Sequence, residues 1–255
     1  MKTPTISAVI ITLNEEAEIT ECLKSVRFCD EIIVLDGGSN DSTSCIAHQL
    51  GCKVFEDRDW LGFGIQKQRA LDQASGDWIL SIDADERITE VLAEEIIDGI
   101  TSRNFDGFQI PRSSYYLGKL MRFGGWYPDY VLRVARRGVA SFDPAPVHEK
   151  LLVNGRLGKL KNPIIHYSYR SVNEILTKQQ RYAIASSEKK QLVSEQSGVF
   201  KAFFKSFWCF LKQYFFQFGA LDGRRGFISA VSRSQETFWK YILISDLADR
   251  NKSAN

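Results

Sequence analysis

The sequence predicts an α/β fold, with a mostly parallel central sheet flanked by helices and a C-terminal helical extension. Three observations carry this. From Ser7 to Asp85 short apolar runs alternate with helix-like segments, the pattern of a doubly wound sheet. One of these runs, Trp78–Ile82, is apolar throughout, as a strand buried on both faces is. Beyond residue 170 the pattern becomes helical to the end. The 255 residues suffice for one α/β domain over 1–168 and a helical segment over 169–255.

Taken in order, Ser7–Leu13 reads as a buried strand. Asn14-Glu15-Glu16 then opens a helix, with Asn14 as its cap and acids in its first turn. Glu31–Asp36 is a second strand, and Gly37–Thr43 turns into a second helix capped by Asp41 or Ser42. A glycine-rich turn at a helix N-terminus lets a nucleotide approach closely, although many strand-to-helix turns look alike. Lys53–Glu56 is a short third strand, a loop covers Asp57–Gly64, and a helix begins at Gln66. On it Lys67 and Arg69 either face solvent or, beside a phosphate site, supply donors.

The central strand ends in Asp83-Ala84-Asp85. Ligands of open α/β sheets bind outside the carboxyl ends of the strands. Extended alternation puts Asp83 and Asp85 on one side, where two carboxylates suit Mg²⁺ or Mn²⁺. The alternative is an acidic lead-in to the helix that starts near Thr89.

Composition narrows the classes. A net charge of +2 gives no field suited to nucleic acid. The five cysteines form no C-x-x-C pair and read as reduced, mostly buried thiols of a cytosolic protein. The N-terminus shows no signal-peptide pattern, and no apolar run is long enough to span a membrane.

Three motifs in order, Ile10–Glu16, Val34–Thr43 and Gly76–Glu86, resemble the motif series of the family 2 glycosyltransferases. The resemblance implies the GT-A fold and an inverting transfer from a nucleotide-sugar, with 1–100 as the nucleotide-sugar half and 101–168 as the acceptor half. It implies that Thr12, Asn14, Glu15 and Asp36 line the nucleoside pocket. Asp83 would then contact the ribose or base side, and Asp85 would hold the metal. Gly37 stands where many members carry a second acid.

In the second half, Asp106–Pro111 reads as a strand and Arg112–Val134 as a hairpin-rich stretch. Tyr115, Tyr116, Trp126, Tyr127 and Tyr130 there either stack on sugar rings or pack under loops. Gly124–Tyr130, Leu132-Arg133, Pro146–Lys150 and Ile165–Tyr169 resemble the heptosyl β-1,4-glucosyltransferases of the lipopolysaccharide inner core. That resemblance implies UDP-glucose as donor, a lipid-linked saccharide as acceptor, and residence on the cytoplasmic face of the inner membrane. An inverting transfer needs one general base. Glu149 is the first choice and Asp129 the second, with His148 as a metal or diphosphate contact. Arg133 supports the leaving diphosphate or pairs at the surface, and His166 reads as a core histidine. Transfer to a polyprenyl phosphate, or a scaffold without catalysis, are the competing readings.

Val199–Phe218 is the last notable stretch. Lys201, Lys205 and Lys212 fall within about 40° of each other, and the apolar residues fill about 160° opposite. Such a helix lies in a membrane interface or docks on the catalytic domain. A further helix is expected to Leu247, with a disordered tail from Asp249.

Overall fold

The computed structural model describes residues 3–102, 104–144, 149–191 and 197–253. They form two units, Met1–Ser113 with Asp129–His166, and Ser114–Pro128 with Tyr167–Asn255.

The first unit opens with β1 (Ile6–Thr12), α1 (Ile19–Ser25), β2 (Glu31–Asp36), α2 (Thr43–Gln49), β3 (Lys53–Glu56), α3 (Phe63–Asp72) and β4 (Trp78–Ser81). It continues with β5 (Glu86–Arg87), α4 (Glu90–Thr101) and β6 (Gly107–Tyr116). The last residues of β6 belong to the second unit, where Tyr115 and Tyr116 pair with β7 (Lys119–Leu120). Then come β8 (Asp129–Arg136), β9 (Ala140–Phe142), β10 (Leu151–Val153), β11 (Leu157–Lys159) and β12 (Ile164–Tyr169). The sheet order is β3-β2-β1-β4-β8-β6-β12-β5. The first four strands run parallel, and β8 is antiparallel to both β4 and β6.

Alternation along β1 explains the layering. Ala8 and Ile10 face a core built with Ile19, Leu23, Leu92 and Ile96 of α1 and α4. Val9 and Ile11 face the opposite core, with Ala70 and Leu71 of α3 and Phe142. Helices on both faces bury β1 completely. At the other end of these strands Glu31 ties three segments together. It accepts hydrogen bonds from Ser7 Oγ (2.5 Å) and Ser75 N (2.8 Å) and pairs with Lys53 Nζ (2.5 Å). Burial raises its pKa, but these donors outweigh that and bring it down to about 2.

Some element starts differ from expectation. Asn14 does not cap a helix: it sits at φ 57°, and α1 begins at Ile19. Its backbone N–H donates to Ser39 Oγ and its Oδ1 accepts from Asn40 N, both at 2.8 Å, so it ties two loops together. A short amide side chain tolerates that left-handed backbone. Asp41 is the effective cap of α2, accepting from Thr43 N at 3.0 Å, whereas Ser42 makes no cap bond. The α3 helix begins three residues before Gln66. Thr89 does cap α4, accepting from Leu92 N at 3.3 Å.

In the second unit α5 (Val172–Gln191) and α6 (Val199–Leu211, continued by one π turn over Lys212–Phe216) precede α7 (Arg224–Ser253). Here α6 packs on α7 through small residues. Ala202 contacts the cluster of Tyr241 and Ile244, and Ser206 O accepts from Ser234 Oγ at 2.8 Å. Buried Asp222 accepts from Phe123 N at 2.9 Å and Arg122 N at 3.2 Å, fixing the turn after β7. The α7 helix continues past Asp249, where a disordered tail was expected, aided by an Arg250–Asp246 pair at 2.9 Å one turn apart. Among the described residues no helix is long and apolar enough to cross a membrane.

Candidate active site

At the carboxyl ends of β1 and β4 the first unit gathers a network of opposite charges around buried Lys67, Glu86 and Arg133. Asp83 follows β4, and the chain then turns, with Glu86 N donating to Asp83 O at 2.9 Å. This turn replaces the extended backbone that alternation assumed, so Asp83 and Asp85 take different partners. Asp83 Oδ1 pairs with Lys67 Nζ at 2.7 Å, and its Oδ2 with Arg133. The same Lys67 Nζ holds Glu149 Oε1 at 2.7 Å, so one ammonium bridges two carboxylates. Arg133 also reaches Glu86 Oε1 at 2.6 Å, and Glu86 Oε2 accepts from Asp83 N at 3.0 Å. Arg112 links on, 3.8 Å from Glu86 and donating from Nε to Asp129 Oδ2 at 2.9 Å.

These contacts set the charge states. Burial works against ionising Asp83, but Arg133 and Lys67 overcome it and hold its carboxyl well below the usual range. Burial likewise works against the Lys67 ammonium, and Asp83 then Glu149 reverse that, raising its pKa despite opposition from Arg133. The Arg133 guanidinium is pushed further up by Asp83 and Glu86 against its own burial. Its Nε is buried with no hydrogen-bond partner among the described residues.

Asp85 Oδ2 lies 3.5 Å from His166 Nε2. His166 reaches it because β12 pairs antiparallel with β5, setting His166 opposite Glu86. His166, read from sequence as a core histidine, thus faces Asp85 at the candidate site, a placement that sequence reasoning did not anticipate. Only the pairing of two strands 80 residues apart in the chain reveals it, since His166 and Glu86 are register partners. His148 lies outside the described residues. A carboxylate and an imidazole form an incomplete shell for a divalent cation, the kind that substrate phosphates and water complete. Among the described residues no group of three or more His, Cys, Asp or Glu side chains is gathered to hold a metal, so this pair would need substrate oxygens to complete a shell.

The residues expected to line a nucleoside pocket sit at the ends of β1 and β2 and in the loops that follow. Thr12 and Asp36 are register partners at the ends of β1 and β2, and Thr12 Oγ1 donates to Asp36 Oδ1 at 3.0 Å. Asp36 Oδ2 also accepts from Gly38 N (3.1 Å) and Ser39 N (2.8 Å), so this carboxylate shapes the glycine turn. Glu15 N donates to Thr43 Oγ1 at 2.8 Å, holding the loop after β1 to α2. A Cβ at Gly37 would lie 3.0 Å from the Trp60 ring, so any side chain there requires that ring to shift.

Arg69 does not join the network. Its NH1 donates to Asp57 Oδ2 and to Asp59 O, each at 2.7 Å, pinning the loop that precedes α3. Two positions apart on a helix is about 200° of rotation, so Lys67 and Arg69 face opposite ways. Of the aromatics in the second unit, Tyr116 is buried and Trp126 donates to Ser229 Oγ at 3.0 Å, and both belong to one packing cluster. Tyr115 instead stacks on Tyr167 with centroids 5.2 Å apart, beside a cavity of about 300 Å³ that Tyr169 and Arg170 also line. Tyr127 and Tyr130, in the two units, are exposed.

Comparisons with known proteins place this geometry. Residues 7–126 match the family described as glycosyl transferase family 2. The lipopolysaccharide core biosynthesis glycosyltransferase LpsC of Rhizobium meliloti is 30% identical over 91% of this chain and 89% of its own length. An uncharacterized glycosyltransferase of Rickettsia typhi is 31% identical over 97% of this chain and 89% of its own. Among solved structures, Staphylococcus aureus TarS 1-349 in complex with UDP aligns over 97% of this chain and 92% of its own. Its TM-score is 0.52 at 16% identity, a likeness of fold. The GT-A architecture expected from the motif series therefore holds. With a near full-length relative at that identity and the family match over residues 7–126, which hold Lys67, Asp83, Asp85 and Glu86, the chain belongs to glycosyl transferase family 2 and is a glycosyltransferase.

Proposed function

We propose that this enzyme transfers glucose from UDP-glucose, with inversion and with a divalent cation, to a heptose of the lipopolysaccharide inner core. The observation that carries the chemistry is the Lys67 ammonium shared by Asp83 and Glu149. It supports Glu149 as the base, beside the strand end where a nucleotide-sugar would lie. The likeness to LpsC supports the acceptor class, and the UDP in the structure of the fold neighbour TarS supports the donor class.

In this reading Thr12, Asn14, Glu15 and Asp36 shape the nucleoside pocket, and Asp83 orients the ribose side. Glu149 takes the acceptor hydroxyl proton at Oε2 while Lys67 fixes Oε1. The acceptor oxygen bonds to the anomeric carbon from the face opposite the breaking glycosyl–phosphate bond, whose electron pair leaves on UDP. Asp85 and His166 would hold the cation, which supplies positive charge to the departing diphosphate. Asp129, with Oδ2 engaged by Arg112, is the second candidate base. Arg133 keeps Asp83 ionised and in place.

The test is a donor screen by mass spectrometry with Mn²⁺ or Mg²⁺, UDP-, GDP- and TDP-sugars, and a heptose-containing core acceptor. A product from UDP-glucose alone, lost with EDTA and reduced at least about 10²-fold in Glu149→Gln with UDP affinity retained, is the expected result. A product from another donor overturns the sugar. Full activity in both Glu149→Gln and Asp129→Asn overturns the base and favours an anionic polyprenyl-phosphate acceptor, which needs none.

A further inference from the structure

The aromatic face of α6 is turned outward. Phe200, Phe203, Phe204, Phe207 and Trp208 are all more than half exposed, and Phe200 reaches 82%. At 100° per residue they span about 140° of the helix. The opposite side carries Ala202 and Ser206, which are buried against α7. The π turn and the segment after it add exposed Phe215, Phe216 and Phe218. At about 200 Å² per aromatic side chain these eight residues expose on the order of 1,000 Å² of aromatic surface. Water-soluble monomers rarely carry a contiguous apolar patch of that size.

The charges beside the patch identify its occupant. Lys205 and Lys212 lie along one edge of the aromatic arc, between it and the buried stripe, and Lys201 on the same edge has its Nζ over the Tyr241 ring at 5.5 Å. No Asp or Glu occurs from residue 198 to residue 221, and Arg224 and Arg225 follow. Against a second copy of the same face, lysine would meet lysine in a self-complementary contact, and lysine is depleted from protein interfaces. Against a bilayer the same layout is favourable. Aromatic rings sit at the headgroup level, and lysines beside them reach anionic phosphates while their stems stay with the apolar surface.

We infer that α6 and the turn after it lie in the headgroup–acyl boundary of a membrane containing anionic lipids, with the aromatic face inward and the lysines at its rim. This binding needs neither donor nor acceptor, so it stands independently of the reaction assigned above.

The test is co-sedimentation of the full chain with vesicles of phosphatidylethanolamine and phosphatidylglycerol, against vesicles of phosphatidylcholine alone. At least about tenfold tighter binding to the anionic vesicles, weakening in high salt, is expected. The F200S/F204S/F207S variant should lose at least about tenfold in vesicle affinity with circular dichroism, melting temperature and UDP affinity at wild-type values, because these side chains are exposed. The K205E/K212E variant should lose the preference for anionic lipid. Equal vesicle binding by wild type and the phenylalanine variant would overturn the inference. So would absence of vesicle binding together with a dimer, seen by analytical ultracentrifugation, that the phenylalanine variant converts to monomer.

Discussion

Arg133 holds half-buried Asp83 and fully buried Glu86 at once, and its removal strips Glu86 of its 2.6 Å partner and leaves Asp83 to Lys67 alone. Breaking a buried ion pair from one side costs about 3–5 kcal/mol, and Arg133→Met should lower stability by that order in urea denaturation. The pH dependence of the pair follows from the directions of its shifts. Asp83 is depressed, so its contribution is complete above the unfolded carboxylate pKa of about 3.9 and is lost only as pH falls below that. Lys67 is raised, so its contribution is complete below its unfolded value of about 10.4 and is lost above it. UDP affinity should therefore show no inflection from these two groups between about pH 5 and pH 9, as calorimetry across that range would check. At this scale the sequence was informative about residue type and poor about direction. Lys67 and Arg69 are indistinguishable as nearby basic residues, and only helix rotation separates them. Asp83 and Asp85 looked equivalent because alternation was carried into a turn.

At the scale of elements, Glu31 joins β2, the start of β1, Lys53 of β3 and the turn before β4. Its depressed pKa means that this junction is intact above about pH 4.5 and weakens as pH falls toward 2. Glu31→Gln should flatten the acid limb of a stability–pH curve over that interval and lower thermal stability by the same amount at pH 5 and at pH 9. Asp222 plays the corresponding part in the second unit. Asp222→Ala strips the acceptor from two backbone N–H groups and should cost about 1–3 kcal/mol by chemical denaturation. The strands of the first half were legible because double-sided burial leaves an unbroken apolar run, as in Trp78–Leu80. Asn14 was misread because a capping residue and a loop tie use the same side-chain oxygen. The place of His166 depends on the β5–β12 register, which no local pattern encodes.

Across the molecule, the parallel strands, the glycine turn and the Asp83–Asp85 segment lie in the region of family match, and the helical unit lies mostly beyond it. The periodicity of α6 was legible, but its orientation was not: an amphipathic pattern ordinarily buries its apolar side, and here small residues make the contact instead. The charge network has a consequence for how a donor enters. Asp83, Glu86, Asp129 and Glu149 outnumber Lys67, Arg112 and Arg133 by four to three, so this cluster is negative by one within a chain whose formal charge is +2. A bare diphosphate approaching it meets repulsion, not an anion trap. Uncomplexed UDP should therefore bind more tightly as sodium chloride rises from about 20 to about 200 mM, because screening relieves like-charge repulsion. The Mn²⁺ complex of UDP should show a weaker salt response. Titration calorimetry at the two salt concentrations, with and without EDTA, reads the sign directly; a UDP affinity that falls with salt in EDTA would mean that a cation outside these seven residues governs entry.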